Sequence, residues 1–149
     1  AKPLDPYSYY NGDFIALEKA HLNKGWKLVD NWHPDNKAGK RNGFVDVPML
    51  AATRPGDRLT LDFRGKAIGI FCVSGPSAGI LEYSVDGAPF KELDTFTEWS
   101  HNLYIPWVYM LETELKDTDH KLVLRISKKK NPASQGTECQ IRNFVVNGR

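Results

Sequence analysis

The chain has 149 residues, of which 41% are hydrophobic and 11% aromatic, with 20 Lys plus Arg against 18 Asp plus Glu. At this length one domain buries roughly 68–70% of its extended surface and folds without staples, so one globular domain is expected and disorder is excluded. A formal charge of +2 argues against nucleic acid as a partner, and no run approaches the roughly 18 apolar residues of a membrane span, so no membrane partner is expected.

The first part, 1–42, is rich in Tyr, Trp, Asn and Lys without a clear period, and reads as an irregular N-terminal arm on a domain covering 1–149. Within it, Asp13 to Leu22 fits a short helix or, equally, a strand followed by a turn. No charged-then-apolar leader opens the sequence, so any signal peptide is expected to have been removed. Arg58 to Arg64 alternates, with Leu59, Leu61 and Phe63 on one face of a strand. Lys66 to Val73 is apolar on both faces, as a doubly covered strand would be. Ile80 to Val85 and Phe90 to Leu93 predict a hairpin joined at Asp86-Gly87, where both positions tolerate positive φ. Ile105 to Leu111 puts Ile105, Trp107, Tyr109 and Leu111 on one side, and alternation at strand period places Trp107 in the core. His120 to Ile126 repeats the alternation through Leu122, Leu124 and Ile126, with His120 in a charged turn and exposed. Lys128-Lys-Lys130 reads as a solvated loop at that strand's end. In the last strand, Glu138 to Val146, Cys139 and Ile141 share a parity that Phe144 and Val146 do not, which predicts a bulge near Arg142-Asn143.

Turn chemistry separates these runs at Arg54-Pro-Gly-Asp57, Ser74 to Gly79, Lys116 to Asp119 and Lys130-Asn-Pro-Ala133. Antiparallel strands at short spacing predict an all-β fold, an antiparallel β-sandwich of jelly-roll-like type. Cys72 and Cys139 both sit in apolar strand contexts, which favours free buried thiols over a disulfide. Cysteine usage therefore does not report the compartment.

Gly75-Pro-Ser77-Ala-Gly79 matches G-x-S-x-G, but a nucleophile elbow needs a helix after the serine, and Ile80 to Val85 reads as a strand. A turn is expected, with no catalytic residue. His21, His33, His101 and His120 fall in no ligand spacing, so no metal site and no cofactor are expected, although loop oxygens leave room for a structural calcium. The sharper signal is aromatic. Trp99, Tyr104, Trp107 and Tyr109 lie among Ser100, His101 and Asn102. Sugars present apolar C–H faces and hydroxyl edges, so their sites combine an aromatic platform with short polar side chains. Trp99 and Trp32 occupy polar, loop-like contexts and are the expected platforms.

An ordered series of segments carries a resemblance: Pro3-Leu-Asp-Pro-Tyr-Ser-Tyr9, Gly25-Trp26, Gly43-Phe-Val-Asp-Val-Pro-Met49, Gly75-Pro-Ser-Ala-Gly79, Tyr83-Ser-Val-Asp-Gly87, Trp99-Ser100, Pro106-Trp107, Leu122-Val-Leu-Arg-Ile126 and Asn131-Pro132. Nearly the whole chain resembles the β-sandwich accessory domain found beside the catalytic domain of bacterial SGNH/GDSL-type hydrolases. The resemblance implies that the catalytic residues lie in that other domain; this chain has no Gly-Asp-Ser block. It also implies a secreted or periplasmic setting and a hydrolase domain as an attached partner.

The function expected is therefore a non-catalytic carbohydrate-binding module, a monomer, that takes a polysaccharide or oligosaccharide and holds an attached esterase near its substrate. Trp99, Trp32 and Tyr104 would stack on sugar rings, while His101, Asn102, Arg125 and Lys128 would supply hydrogen bonds or meet an acidic sugar. The alternative is a structural domain that packs on the hydrolase and shapes its active-site mouth. A third reading, a small hydrolase using Ser77, needs a helix directly after that serine.

Overall fold

The computed structural model describes residues 12–34, 39–40 and 47–147. In chain order the strands are β1 (Gly12–Ile15), β2 (His21–Lys24), β3 (Lys27–Trp32), β4 (Gly39–Lys40), β5 (Val47–Ala52), β6 (Arg58–Gly65), β7 (Ala67–Ser74), β8 (Ile80–Val85), β9 (Lys91–Asp94), β10 (Leu103–Glu112), β11 (Thr118–Ile126) and β12 (Cys139–Asn147). Short 3-10 turns occupy Leu17–Lys19 and Glu98–His101, and no α-helix occurs among the described residues.

Two sheets result. One has the order β2-β6-β11-β8-β9; the other runs β3-β5-β12-β7-β10-β4, with β1 paired to the far end of β12. All pairings are antiparallel except β10 with β4. The alternation of β6 and β11 sends Leu59, Leu61, Phe63, Leu122, Leu124 and Ile126 inward, with Leu61 opposite Leu122. They meet Leu50, Ile68, Ile70, Ile141 and Phe144 of the other sheet in one core. The β-sandwich is thus the predicted one. Burying these side chains is its main driving term, at about 1.5–3 kcal/mol for each large apolar side chain.

β7 is buried along its whole length, as its two-faced apolar run predicts. Its outer face packs in separate clusters, Val73 with Trp32, Met49 and Tyr104, and Phe71 with Val108 and Val145. The bulge is where parity places it. Ile141 pairs with Cys72 and Asn143 with Phe71, so Arg142 is the extra residue. That one-residue step lets Cys139, Ile141, Phe144 and Val146 all face the same core. Cys72 and Cys139 are free and buried; burial pushes the Cys72 thiol up to about 12 and that of Cys139 up as well, which leaves both unreactive. At the β8–β9 hairpin Asp86 and Gly87 both have positive φ, 55° and 77°, the geometry of a type I′ turn.

Two expectations need correction and one open choice is settled. The irregular arm is not irregular in its described part: β1 and β3 extend one sheet and β2 edges the other. These are edge strands facing solvent on much of their surface, so they carry little hydrophobic alternation. Of the two readings of Asp13 to Leu22, the strand followed by a turn is the one formed: β1, a 3-10 turn and then the start of β2. His120 is buried rather than exposed, inside β11. Its Nδ1 faces Asp86 Oδ2 at 2.5 Å, its Nε2 faces the Lys116 carbonyl at 2.7 Å, and its ring packs on Phe63. Both ring nitrogens meet acceptors, so the imidazolium is the favoured form. The Asp86 bond holds the His120 pKa above its ordinary 6.5, and the same bond holds the Asp86 carboxyl below the usual range.

Candidate functional site

The inward side of β10 is occupied by two kinds of residue. Register fixes the side: Tyr109 lies opposite Ile70 and Trp107 opposite Cys72, both core residues, and Ile105 lies opposite Ser74. Leu111 at one end is buried in the core. Toward the other end the cover of the five-stranded sheet runs out, and Trp107 is 49% exposed. The parity of Ile105, Trp107, Tyr109 and Leu111 was therefore as expected, but the core placement of Trp107 is corrected. A strand's alternation says which face a side chain takes, not how far the opposing sheet extends.

The segment Thr97 to His101 borders the open end. Its shape follows from a Thr-x-x-Ser pattern. The Thr97 N–H donates to Ser100 Oγ at 3.1 Å, the Ser100 N–H donates to the Thr97 carbonyl at 2.9 Å, and the two hydroxyls lie 3.2 Å apart. Phe96 is buried, and Thr95 Oγ1 donates to the Gly79 carbonyl at 2.7 Å. With Phe96 and Ser100 turned inward, Trp99 is left pointing out, 68% exposed. Ser74, Thr97, Glu98, Trp99, Ser100, Ile105, Trp107 and Tyr109 enclose an open cleft of about 540 Å³. Its lining is mostly apolar, with hydroxyls from Ser74, Thr97 and Tyr109 and one carboxylate, Glu98. Burial raises the Tyr109 pKa, so its hydroxyl keeps its proton and remains a donor.

The predicted site residues part company. Trp99 lines this cleft and is exposed in it. His101 and Asn102 are exposed at the end of the same turn but do not line it; the His101 ring stands edge-on to Phe96 at 5.1 Å. Trp32 and Tyr104 are 8% and 3% exposed and meet edge-to-face at 5.4 Å. Their cluster with Met49 and Val73 lies on the other face of the same sheet, so they are not exposed stacking platforms and do not belong to the Trp99 cleft. Tyr104 donates to Glu138 Oε1 at 3.1 Å. Arg125 lies on the outer side of the five-stranded sheet, between Leu124 and Ile126, which point into the core. Its Nε bonds Glu82 at 2.7 Å and its guanidinium sits 3.6 Å over the Phe90 ring. Lys128 is exposed beyond β11 and is not among the residues lining the cleft. Sequence reasoning missed Trp107 as a cleft residue; the polar run Glu98 to Asn102 just before β10 is the signal that the strand's first half borders a surface.

The G-x-S-x-G match has a packing explanation. A Cβ on Gly75 would lie 2.4 Å from the Tyr104 ring, and one on Gly79 would lie 2.8 Å from the Thr137 backbone. The two glycines let a ring and a neighbouring chain approach, and Ser77 sits between them in a turn that leads into β8. No helix follows it. Asp117-Thr-Asp-His120 spells the Asp-x-x-His pattern of SGNH-type hydrolases at the start of β11. His120 is spent on Asp86 and the Lys116 carbonyl, so it has no ring nitrogen left for a serine. Among the described residues no group of three or more His, Cys, Asp or Glu could hold a metal ion.

No protein-family model matches the chain, and no curated protein does. Solved structures do share the fold. A two-domain esterase active on acetylated mannans superposes with a TM-score of 0.69 at 16% identity, over 100% of this chain and 39% of that one. A family two carbohydrate esterase from Cellvibrio japonicus gives 0.53 at 12% identity, over 93% and 34%. An exo-β-1,3-galactanase from Phanerochaete chrysosporium gives 0.60 at 12% identity, over 93% and 30%. The chain thus spans 30–39% of these larger proteins, and its β-sandwich is a fold that occurs as one portion of carbohydrate esterases, one of them two-domain, and of a galactanase.

Proposed function

We propose that this domain is a non-catalytic carbohydrate-binding module that holds an attached SGNH-type carbohydrate esterase, secreted or periplasmic, close to polysaccharide. The observation that carries the reading is the presence of Trp99 and Trp107, 68% and 49% exposed, in the lining of one mostly apolar cleft. Large rings left in water are costly unless a partner covers them. A pyranose suits them: its C–H face meets the ring face, and its hydroxyl edge meets Ser74, Thr97, Tyr109 and Glu98. With only one charged residue in the lining, the cleft favours neutral sugar units. The sharing of the fold with esterases and a galactanase supports a carbohydrate role.

A glycan array followed by calorimetry tests the reading. Binding to neutral pyranose oligosaccharides, mannopentaose among them, is the expected result. If no glycan binds above background, the second reading takes its place: the cleft is then the seat of the neighbouring hydrolase domain, which the same exposed aromatic pair would also fit.

A further inference from the structure

The outer face of the seven-stranded sheet carries a second concavity, distinct from the Trp99 cleft. One part, about 490 Å³, is lined by residues that include Asn31, Trp32, His33, Ser77, Tyr104 and Gln140. A second part, about 590 Å³, is bordered by Lys24, Lys27 and Arg54. The two share Val29, Ala51 and Thr53, so they adjoin along the sheet and together make a trough. From Tyr104 on β10 to Lys27 on β3 it crosses four strand spacings, about 19 Å at ~4.8 Å each.

Gln140 sits in its floor. Register places it between Ala51 and Val73, and Val73 packs on the outer face with Trp32 and Tyr104. The residue is 3% exposed and its side-chain amide has no hydrogen-bond partner among the described residues, but its polar atoms are not sealed from water and open on the trough. An amide presented to a cleft in this way is free to pair with a ligand's polar groups. It offers both a donor and an acceptor, as adjacent sugar hydroxyls require. Ser77, Asn31 and His33 surround it with further short polar groups. At the other end Lys24, Lys27 and Arg54 take part in no ion pair among the described residues. Two acids also line the trough: Asp57, beside the cations, is buried and accepts the N–H groups of Thr53 and Arg54, and Glu138, at the other end, accepts the Tyr104 hydroxyl. A neutral chain would leave these three cations unused.

We propose that the trough is a second saccharide site, and that it takes an oligosaccharide bearing carboxylates, with sugar hydroxyls at Gln140 and a carboxylate at the Lys24–Lys27–Arg54 end. It lies on the opposite face from the Trp99 cleft, so it stands or falls separately. The test is an amide-shift titration by NMR with tetragalacturonate and, as control, mannopentaose, at low and at 0.5 M salt, on wild type and Trp99→Ala. Tetragalacturonate is expected to shift the amides of Lys27, Ala51, Ser77 and Gln140 in both proteins. Binding should weaken about tenfold in Gln140→Leu, weaken similarly in Lys24→Ala/Lys27→Ala, and fall with salt. The proposal is overturned if tetragalacturonate leaves those amides unmoved. It is equally overturned if mannopentaose shifts them as strongly, or if the lysine variant binds as wild type does.

Discussion

One sheet carries aromatic side chains on both faces, and the two groups do different things. On the inner face Trp107 is left uncovered because the opposing sheet ends before β10 does, and Trp99 points out beside it from the turn that precedes β10. On the outer face Trp32 and Tyr104 are buried against Met49 and Val73. The first pair faces an apolar cleft with a single carboxylate, the second a polar trough with three cations at its end. The lesson is that residue type does not decide between core and site. Cover decides it, and cover is a property of strands that lie far away in the sequence.

Truncation should break the comparison open. Trp32→Ala removes a buried ring and is expected to cost about 3–5 kcal/mol, whereas Trp99→Ala removes an exposed one and should stay within about 0.5 kcal/mol. Urea unfolding of the two variants measures both, and equal costs would erase the distinction. Gly75→Ala comes next. The new Cβ collides with the Tyr104 ring, and overpacking of this kind costs about 1–3 kcal/mol. Ser77→Ala, two residues on, should be nearly neutral and should remove no ester turnover. The smallest effect lies away from both regions, at the His120–Asp86 pair. His120 has a raised pKa, so its contribution is complete below about pH 6.5 and is lost as pH rises through its folded value. Asp86 has a lowered one, so its contribution is present above its ordinary 3.8 and is lost as pH falls through its folded value. Unfolding free energies at pH 5.5 and 8.5 should therefore decline for wild type and decline less for Asp86→Asn, with neither ligand surface involved.

What was legible in the sequence follows the same division. β6, β7, β8 and β11 carry clean alternation or continuous apolar runs because they lie inside their sheets. The Arg142 bulge showed in a parity switch alone. β5 was invisible, although it lies between β3 and β12: Pro48 interrupts its pattern, and its register with β3 is itself irregular there. Of the site, Trp99 was legible from its polar neighbours, while Trp107 was not, since a strand's period is blind to where the opposing sheet stops. Arg125 lies away from the Trp99 cleft, and its partners Glu82 and Phe90 come from the neighbouring hairpin, which no local pattern reveals.

The claim that Trp99 and Trp107 form a sugar platform is tested most directly by calorimetry of wild type, Trp99→Ala and Trp107→Ala against the glycan that binds best on the array. Losing one ring is worth roughly 1–3 kcal/mol, by analogy with burying a large apolar side chain, or about ten- to a hundredfold in affinity. The account predicts that loss in each variant while the melting temperature of Trp99→Ala stays at the wild-type value. Wild-type affinity in both variants would contradict it.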